Sequence, residues 1–262
     1  MTNLQNKVAF VTGSTSGIGL TMARSLAAKG CHIVITGFGD QDEINKIKED
    51  IVREFKVNVN HVSCDLRKVE EIDSMCAEID KLYPEGIDIL CNNAGFNHVH
   101  PIEGYPTEWW NDSVAVMLTA PFHLIKHFLP KMRAKGWGRI VNTASQHGMV
   151  STAGKAVYSA VKHGIVGLTK GVALDIGDAN VTINCICPGF ASSNITKAWF
   201  ERLGKERGCS AEEAKASVLE SVPNKKMVEL QHIADMMLYL CSESAVSITG
   251  AAMLMDGGYT AQ

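Results

Sequence analysis

Tyr158 and Lys162 stand four residues apart in a stretch with helical patterning, which puts them on one helix face. A free phenol has a pKa of about 10 and is a poor base at neutral pH. A nearby ammonium stabilises the phenolate, each unit of depression being worth about 1.4 kcal/mol. Ser145 ends an apolar strand-like run and is placed to hydrogen-bond a reacting oxygen. The three together suit proton transfer at a carbinol or carbonyl. Tyr-x-x-x-Lys by itself is a frequent accident of amphipathic helices, where it is a surface pair.

A second group precedes them. The first strand-like run ends in Thr12-Gly13-Ser14-Thr15-Ser16-Gly17-Ile18-Gly19, and a helical pattern follows at once. Small residues let the backbone approach a pyrophosphate, and a helix N-terminus faces that negative charge. Gly13, Thr15, Ser16, Gly17, Ile18 and Gly19 are therefore the expected dinucleotide cradle; the plainer alternative is a tight strand–helix turn. The next run ends Thr36-Gly37-Phe38-Gly39-Asp40, where cofactor choice is usually made. Asp40 is late for a ribose contact and equally suits the start of a loop. No Lys or Arg occurs at Ser14–Ser16 or at Gly37–Phe38, so a 2′-phosphate lacks a cation and NAD is the expected cofactor.

The elements that must hold these groups alternate. Strand candidates are Val8–Thr12, His32–Thr36, Val59–Cys64, Ile87–Asn92, Arg139–Ala144, Val181–Cys187 and Ala252–Met255, nearly continuous in Val, Ile, Leu and Cys. Such runs suit strands buried on both faces of a parallel sheet. Helical patterns fall between them, at Ile18–Lys29 and near Asp42–Glu54, Lys68–Tyr83, Glu108–Lys135, Ala156–Ile176 and His232–Ser242. This order predicts an α/β fold, a single doubly wound parallel sheet (Rossmann-like) with helices on both faces, in one domain over 1–262. A helical segment at Ser192–Lys226 stands outside the alternation. It is read as a substrate lid rather than a solvated excursion, because long connections are often functional.

The bulk numbers exclude other classes. Net charge is −3 with 46% hydrophobic residues, and no long basic run marks a nucleic-acid surface. No run of apolar residues is long enough for a membrane span, and no secretory signal is read at the start. The eight cysteines include no Cys-x-x-Cys pair and are read as reduced thiols of a cytoplasmic protein. His98 and His100 lack carboxylate or cysteine partners, so no metal site is expected. His163, beside Lys162, is expected to pack elsewhere on its helix.

Taken in order, these motifs make the chain resemble the short-chain dehydrogenase/reductase family over essentially all its length. Cys64-Asp65-Leu66, Asn92-Asn93-Ala94-Gly95, Pro188-Gly189 and Asp256-Gly257-Gly258 complete the pattern. The resemblance implies a serine and tyrosine on the substrate oxygen, with the lysine on the nicotinamide ribose. It implies Asp65 and Leu66 at the adenine, Asn93 and Gly95 at the adenosine ribose, Pro188 and Gly189 behind the nicotinamide. It also implies a homotetramer, with Trp109 and Trp110 opening the interface helix. Met117 stands where the family usually places an asparagine that holds a relay water; Asn111 is six residues away and does not match. Either a backbone carbonyl and water keep that relay, or turnover is reduced.

A closer resemblance is to D-3-hydroxybutyrate dehydrogenases, carried by Gly95–Glu103, Ala144-Ser-Gln-His-Gly148, Lys155 and Asp256–Ala261. It implies that His147 and Lys155 grip a substrate carboxylate as a cation pair. Asn97 and Trp199 stand where those enzymes carry glutamines. The alternatives are a dehydrogenase for another small hydroxy acid or neutral alcohol, a 3-oxoacyl or other ketone reductase, and a non-catalytic dinucleotide-binding protein.

Overall fold

The computed structural model describes residues 4–261. Among these, seven strands form one parallel sheet: β1 (Val8–Thr12), β2 (His32–Thr36), β3 (Val59–His61), β4 (Ile89–Asn92), β5 (Gly138–Thr143), β6 (Val181–Pro188) and β7 (Ala252–Met255). Their order is β3-β2-β1-β4-β5-β6-β7. The apolar runs in the middle of the sheet are strands covered on both sides, every residue of β1, β4, β5 and β6 being buried, whereas the edge strands β3 and β7 are partly exposed.

Helices α1 (Gly17–Ala27), α2 (Gln41–Phe55), α3 (Val69–Leu82), α4 (Thr107–Val114), α5 (Ala120–Lys135) and α6 (Ala156–Ile176) fill the crossovers. Met22, Leu26, Ile44 and Ile51 of α1 and α2 pack on one face of the sheet. Ile72, Ile79, Leu124 and Phe128 of α3 and α5 pack on the other. The chain runs outward from β1 to β3, then returns beside β1 as β4. That reversal leaves a crevice at the carboxyl ends of β1 and β4, where open α/β sheets bind ligands.

Most boundaries shift from the sequence reading by no more than one or two residues; two departures are larger. β3 stops at His61 rather than Cys64, because the chain turns at Asp65, whose carbonyl accepts from Lys68 N–H (2.9 Å). The helix expected over Glu108–Lys135 is interrupted by a π-helical turn, Ala115–Thr119. Pro121 has no N–H to return to the Met117 carbonyl four residues back, so the α ladder cannot run through this point. Met117 sits in that turn and is buried.

The remaining elements build a cover. The chain leaves the sheet after β6 at Ala191, forms α7 (Asn194–Arg207) and α8 (Ala211–Leu219), and returns at Val228, which pairs with Ala191. Helix α9 (Leu230–Leu240) then packs on α1 and leads to β7. No helix among the described residues is long and apolar enough to cross a membrane.

A buried polar chain fixes α6 to the sheet. The Asn92 amide donates to Asn142 Oδ1 (2.8 Å), and the Asn142 amide donates to Thr169 Oγ1 of α6 (2.8 Å). Thr169 also meets Cys185 Sγ of β6 at 3.0 Å. A Thr169→Val substitution keeps the shape and strands the Asn142 amide in the core. It should cost about 1–3 kcal/mol, read as a lower urea midpoint with unchanged slope. An unchanged midpoint would show that the network adds no stability.

Candidate active site

The cradle is built first. Gly13 and Gly17 carry positive φ (+62° and +55°), which L side chains rarely adopt. A Cβ on Gly13 would sit 2.8 Å from the Ala94 Cα, whereas Gly17 faces open space. Ser16 caps α1 without a side-chain hydrogen bond, and no acidic residue lies in the first turn. The leading amides of α1 are thus left facing an anion. Asn93 donates to the carbonyls of Thr12 (3.0 Å) and Gly13 (3.2 Å) and accepts from Thr143 Oγ1 (3.3 Å). These features fit a dinucleotide pyrophosphate.

Gly19 does not line the cleft. It packs beneath it, where a Cβ would collide with the Gly13 carbonyl oxygen and the Asn93 amide. Its place in the motif comes from close packing of helix on strand rather than ligand contact. At the end of β2, Asp40 caps α2, accepting from Asp42 N–H (2.9 Å) and Glu43 N–H (3.3 Å). Its carboxylate therefore serves the helix. Phe38 is 72% exposed, and its carbonyl accepts from Thr15 Oγ1 (2.8 Å).

The other residues singled out from the sequence line the same cleft of about 960 Å³. Asp65 and Leu66 lie toward the end beyond β3, Gly95 follows Asn93, and Pro188 and Gly189 close the far wall. Gly189 has no room for a side chain, since a Cβ would lie 2.8 Å from Gln146 Oε1 and 3.0 Å from Asp256 Cα.

Ser145, Tyr158 and Lys162 converge at the floor. Ser145 follows β5, and its hydroxyl accepts from His147 N–H (3.1 Å) and hydrogen-bonds Tyr158. Lys162 Nζ donates to the Thr143 carbonyl (2.8 Å) and lies 5.6 Å from the Tyr158 ring centroid. Burial pushes the Lys162 ammonium down to about 8. Burial also raises the Tyr158 phenol above its ordinary value, with the Ser145 bond acting the other way. The depression expected from Lys162 is thus absent here, because the ammonium is turned onto Thr143 and desolvation prevails. The tyrosine begins protonated. Met117 Sδ and Lys162 Nζ both border Gly95, 3.1 Å and 3.8 Å from where its Cβ would stand, so a thioether abuts the lysine pocket.

Beside this floor, Lys155 Nζ lies 3.3 Å from His147 Nε2. Burial, aided by the Lys155 charge, pushes His147 down to about 4, so its ring is neutral at neutral pH. An ammonium only donates, which makes Nε2 the acceptor. The pair is therefore one cation oriented by a neutral imidazole, not the two cations the sequence implied. Lys155 Nζ also sits 5.9 Å from the Trp199 ring, a cation–π distance. Trp199 lies parallel to Phe190 at 6.0 Å, and Tyr259 meets Phe190 edge-on at 6.3 Å. Asn97 lines the cleft and is exposed.

Arg67, Gln146 and Phe190 are among the cleft residues that the sequence reading did not single out. Arg67 forks onto Asp65 (2.8–3.2 Å) and reaches Asp112 (3.5 Å); its place directly after Asp65-Leu66 was the available signal. Gln146 is buried between Ser145 and Gly189, and Phe190 follows the Pro-Gly pair. His163, expected to pack, is exposed, with Nδ1 2.9 Å from the Ser159 carbonyl. His98 stacks on Trp109 at 4.3 Å and 19°.

Comparison with known proteins agrees with this geometry. A family model described as short chain dehydrogenase matches residues 7–204. A D-beta-hydroxybutyrate dehydrogenase of Rhizobium meliloti is 43% identical over 257 residues, covering 98% of this chain and 99% of that one. One from Cupriavidus necator is 42% identical over 261 residues, covering 99% and 100%. The fold is similar to L-sorbose reductase from Gluconobacter frateurii, solved with NADPH and L-sorbose (TM-score 0.94, 29% identity, 99% of this chain and 98% of that one). With the match running from β1 into α7 and relatives aligned nearly end to end, this chain belongs to the short-chain dehydrogenase/reductase family.

Proposed function

We propose that the protein is an NAD-dependent dehydrogenase of short 3-hydroxy acids, interconverting (R)-3-hydroxybutyrate and acetoacetate. The observation that carries this reading is the half-buried ammonium of Lys155, held by neutral His147 beside the Ser145–Tyr158 hydrogen bond. A carboxylate two carbons from the reacting carbinol needs a fixed donor at that separation. Trp199 and Phe190 present an apolar wall against the same cation, which keeps the pocket dry and short. The two dehydrogenases of Rhizobium meliloti and Cupriavidus necator supply the substrate by analogy.

The nicotinamide, when bound, supplies the hydride chemistry. The chain supplies the rest. Ser145 Oγ donates to the substrate oxygen and holds it against Tyr158. Tyr158 Oη gives its proton to that oxygen as a ketone is reduced and takes it back as an alcohol is oxidised. Lys162, anchored on Thr143, positions the tyrosine and the ribose. Lys155 pairs with the carboxylate in a charge-assisted hydrogen bond. Asn97 lies at the cleft rim with amide donors of shorter reach than a glutamine. NAD is favoured because no cation stands at Gly37–Phe38 and Arg67 is spent on Asp65 and Asp112. The second reading is an NADPH-linked ketone reductase, favoured by the likeness to the sorbose reductase and by Arg67 lining the cleft.

Tyr158→Phe removes the proton-transfer oxygen and keeps the ring. Turnover should fall at least ~10²-fold with NADH binding nearly intact, measured by initial rates and fluorescence titration. Wild-type turnover in that variant would sink the mechanism.

Lys155→Ala should raise KM for 3-hydroxybutyrate roughly 10–150-fold, the worth of one charged hydrogen bond. It should change little for a neutral secondary alcohol of similar size. An unchanged ratio between acid and neutral alcohol removes the anion site.

The ratio of kcat/KM with NAD to that with NADP should be at least about tenfold, or about 1.4 kcal/mol. Equal use of both would mean that Arg67 leaves Asp65 to meet the 2′-phosphate and would favour the second reading.

A further inference from the structure

Lys155 is the last residue before α6, and its backbone (φ −116°, ψ 20°) is not helical. Its own N–H closes a turn onto Thr152 (3.2 Å), and its carbonyl accepts from Ser159 N–H (2.8 Å). Those bonds fix the main chain along α6 but leave the direction of approach to it open. That direction is set one residue earlier. Gly154 has φ +75°, and its carbonyl accepts from His100 N–H (2.9 Å), in the segment between β4 and α4. A Cβ on Gly154 would stand 3.0 Å from Val99 Cγ1, so the two already meet without slack.

The segment that makes these contacts is braced from behind. Phe96 meets His98 at 5.2 Å, His98 stacks on Trp109 at 4.3 Å, and His100 meets Trp109 and Tyr105 edge-on at 6.4 Å and 6.3 Å. Aromatic contacts of this kind add specific geometry to simple burial. The brace ends on α4, which is part of the rigid scaffold. Asn97 lies within the same strap and lines the cleft. One loop therefore carries a rim residue and, two and three positions on, presses on the turn that carries Lys155.

We propose that Val99, His100 and Gly154 are positioning residues for Lys155: the strap, seated on a residue that must lack a side chain, aims the ammonium at His147 and the substrate carboxylate. The inference rests on the reading of Lys155 as the anion site. It concerns binding of the acid: His100 and Gly154 are not among the cleft-lining residues, while Val99 borders the cleft near Asn97.

The test compares wild type, Gly154→Ala and Val99→Ala, each alone and combined with Lys155→Ala. KM and kcat are measured for 3-hydroxybutyrate and for pentan-2-ol. Gly154→Ala should raise KM for the acid about tenfold, the part of a charged hydrogen bond that misplacement forfeits. Its kcat, and both constants for pentan-2-ol, should stay near wild type. Val99→Ala, at a half-exposed position that does not threaten folding, should move the acid KM the same way by a smaller factor. In the Lys155→Ala background neither change should move the acid KM further, because nothing remains to be aimed. Strap variants with a wild-type ratio of acid to neutral KM, while Lys155→Ala alone shifts it, overturn the strap and leave the anion site standing. So do strap effects that persist undiminished without Lys155. If Lys155→Ala itself leaves the ratio unchanged, the anion-site reading falls and the strap with it.

Discussion

Asn93 joins the two halves of the sheet where their carboxyl ends part. Its amide holds the Thr12 and Gly13 carbonyls, its oxygen accepts from Thr143, and its N–H reaches Thr12 Oγ1 at 2.9 Å. Thr143 in turn offers the carbonyl that anchors Lys162. One amide side chain thus couples the glycine turn that faces a pyrophosphate to the lysine beneath the tyrosine. Without it the crevice would still exist by topology, but its two walls would have no common reference. Asn93 has partners for its N–H, its amide nitrogen and its oxygen, which is what allows so polar a residue at the seam where the sheet parts.

Desolvation governs the chemistry above that seam. The same burial raises the Tyr158 phenol, lowers the Lys162 ammonium to about 8 and lowers His147 to about 4. The site rests with few charges, and Lys155 is the one placed to meet an anion. A carboxylate entering such a pocket finds an interaction strengthened by low dielectric and a partner already oriented. The aromatic face of Trp199 shields that cation where an amide would have hydrated it. Apolar cover and fixed charge therefore act in the same direction, which is the physical basis of the proposed anionic substrate.

The sheet was legible because strands buried on both faces announce themselves as continuous apolar runs, and β1 and β2 fall where those runs predict, as does the partly exposed edge strand β7. The glycine turn, Ser145, Tyr158 and Lys162 were equally legible, since their spacing follows from element geometry. What escaped depends on contacts between distant segments. The π turn at Ala115–Thr119 follows from Pro121, yet hydrophobic periodicity passes through it unbroken. The charge state of His147 depends on burial that no local pattern records. Gly19 matched the motif but packs below the ligand surface, and His163 took a solvent position because Ser159, one turn back on α6, holds its ring. Arg67 was visible in the chain, but its engagement with Asp65 and Asp112 required the fold.

The excursion carrying Trp199 departs at Ala191 and rejoins at Val228, a single bridged pair. Its ends are therefore closed on each other whatever lies between them. Loop-closure entropy grows only with the logarithm of length, so lengthening this excursion adds little closure cost. Ser145, just after β5, and Tyr158 and Lys162, on α6, lie outside this segment. The apolar part of the cleft lining is in that sense housed in an exchangeable module: new linings can be tried between two fixed anchor points while the sheet, the seam, Lys155 and His147 stay unchanged.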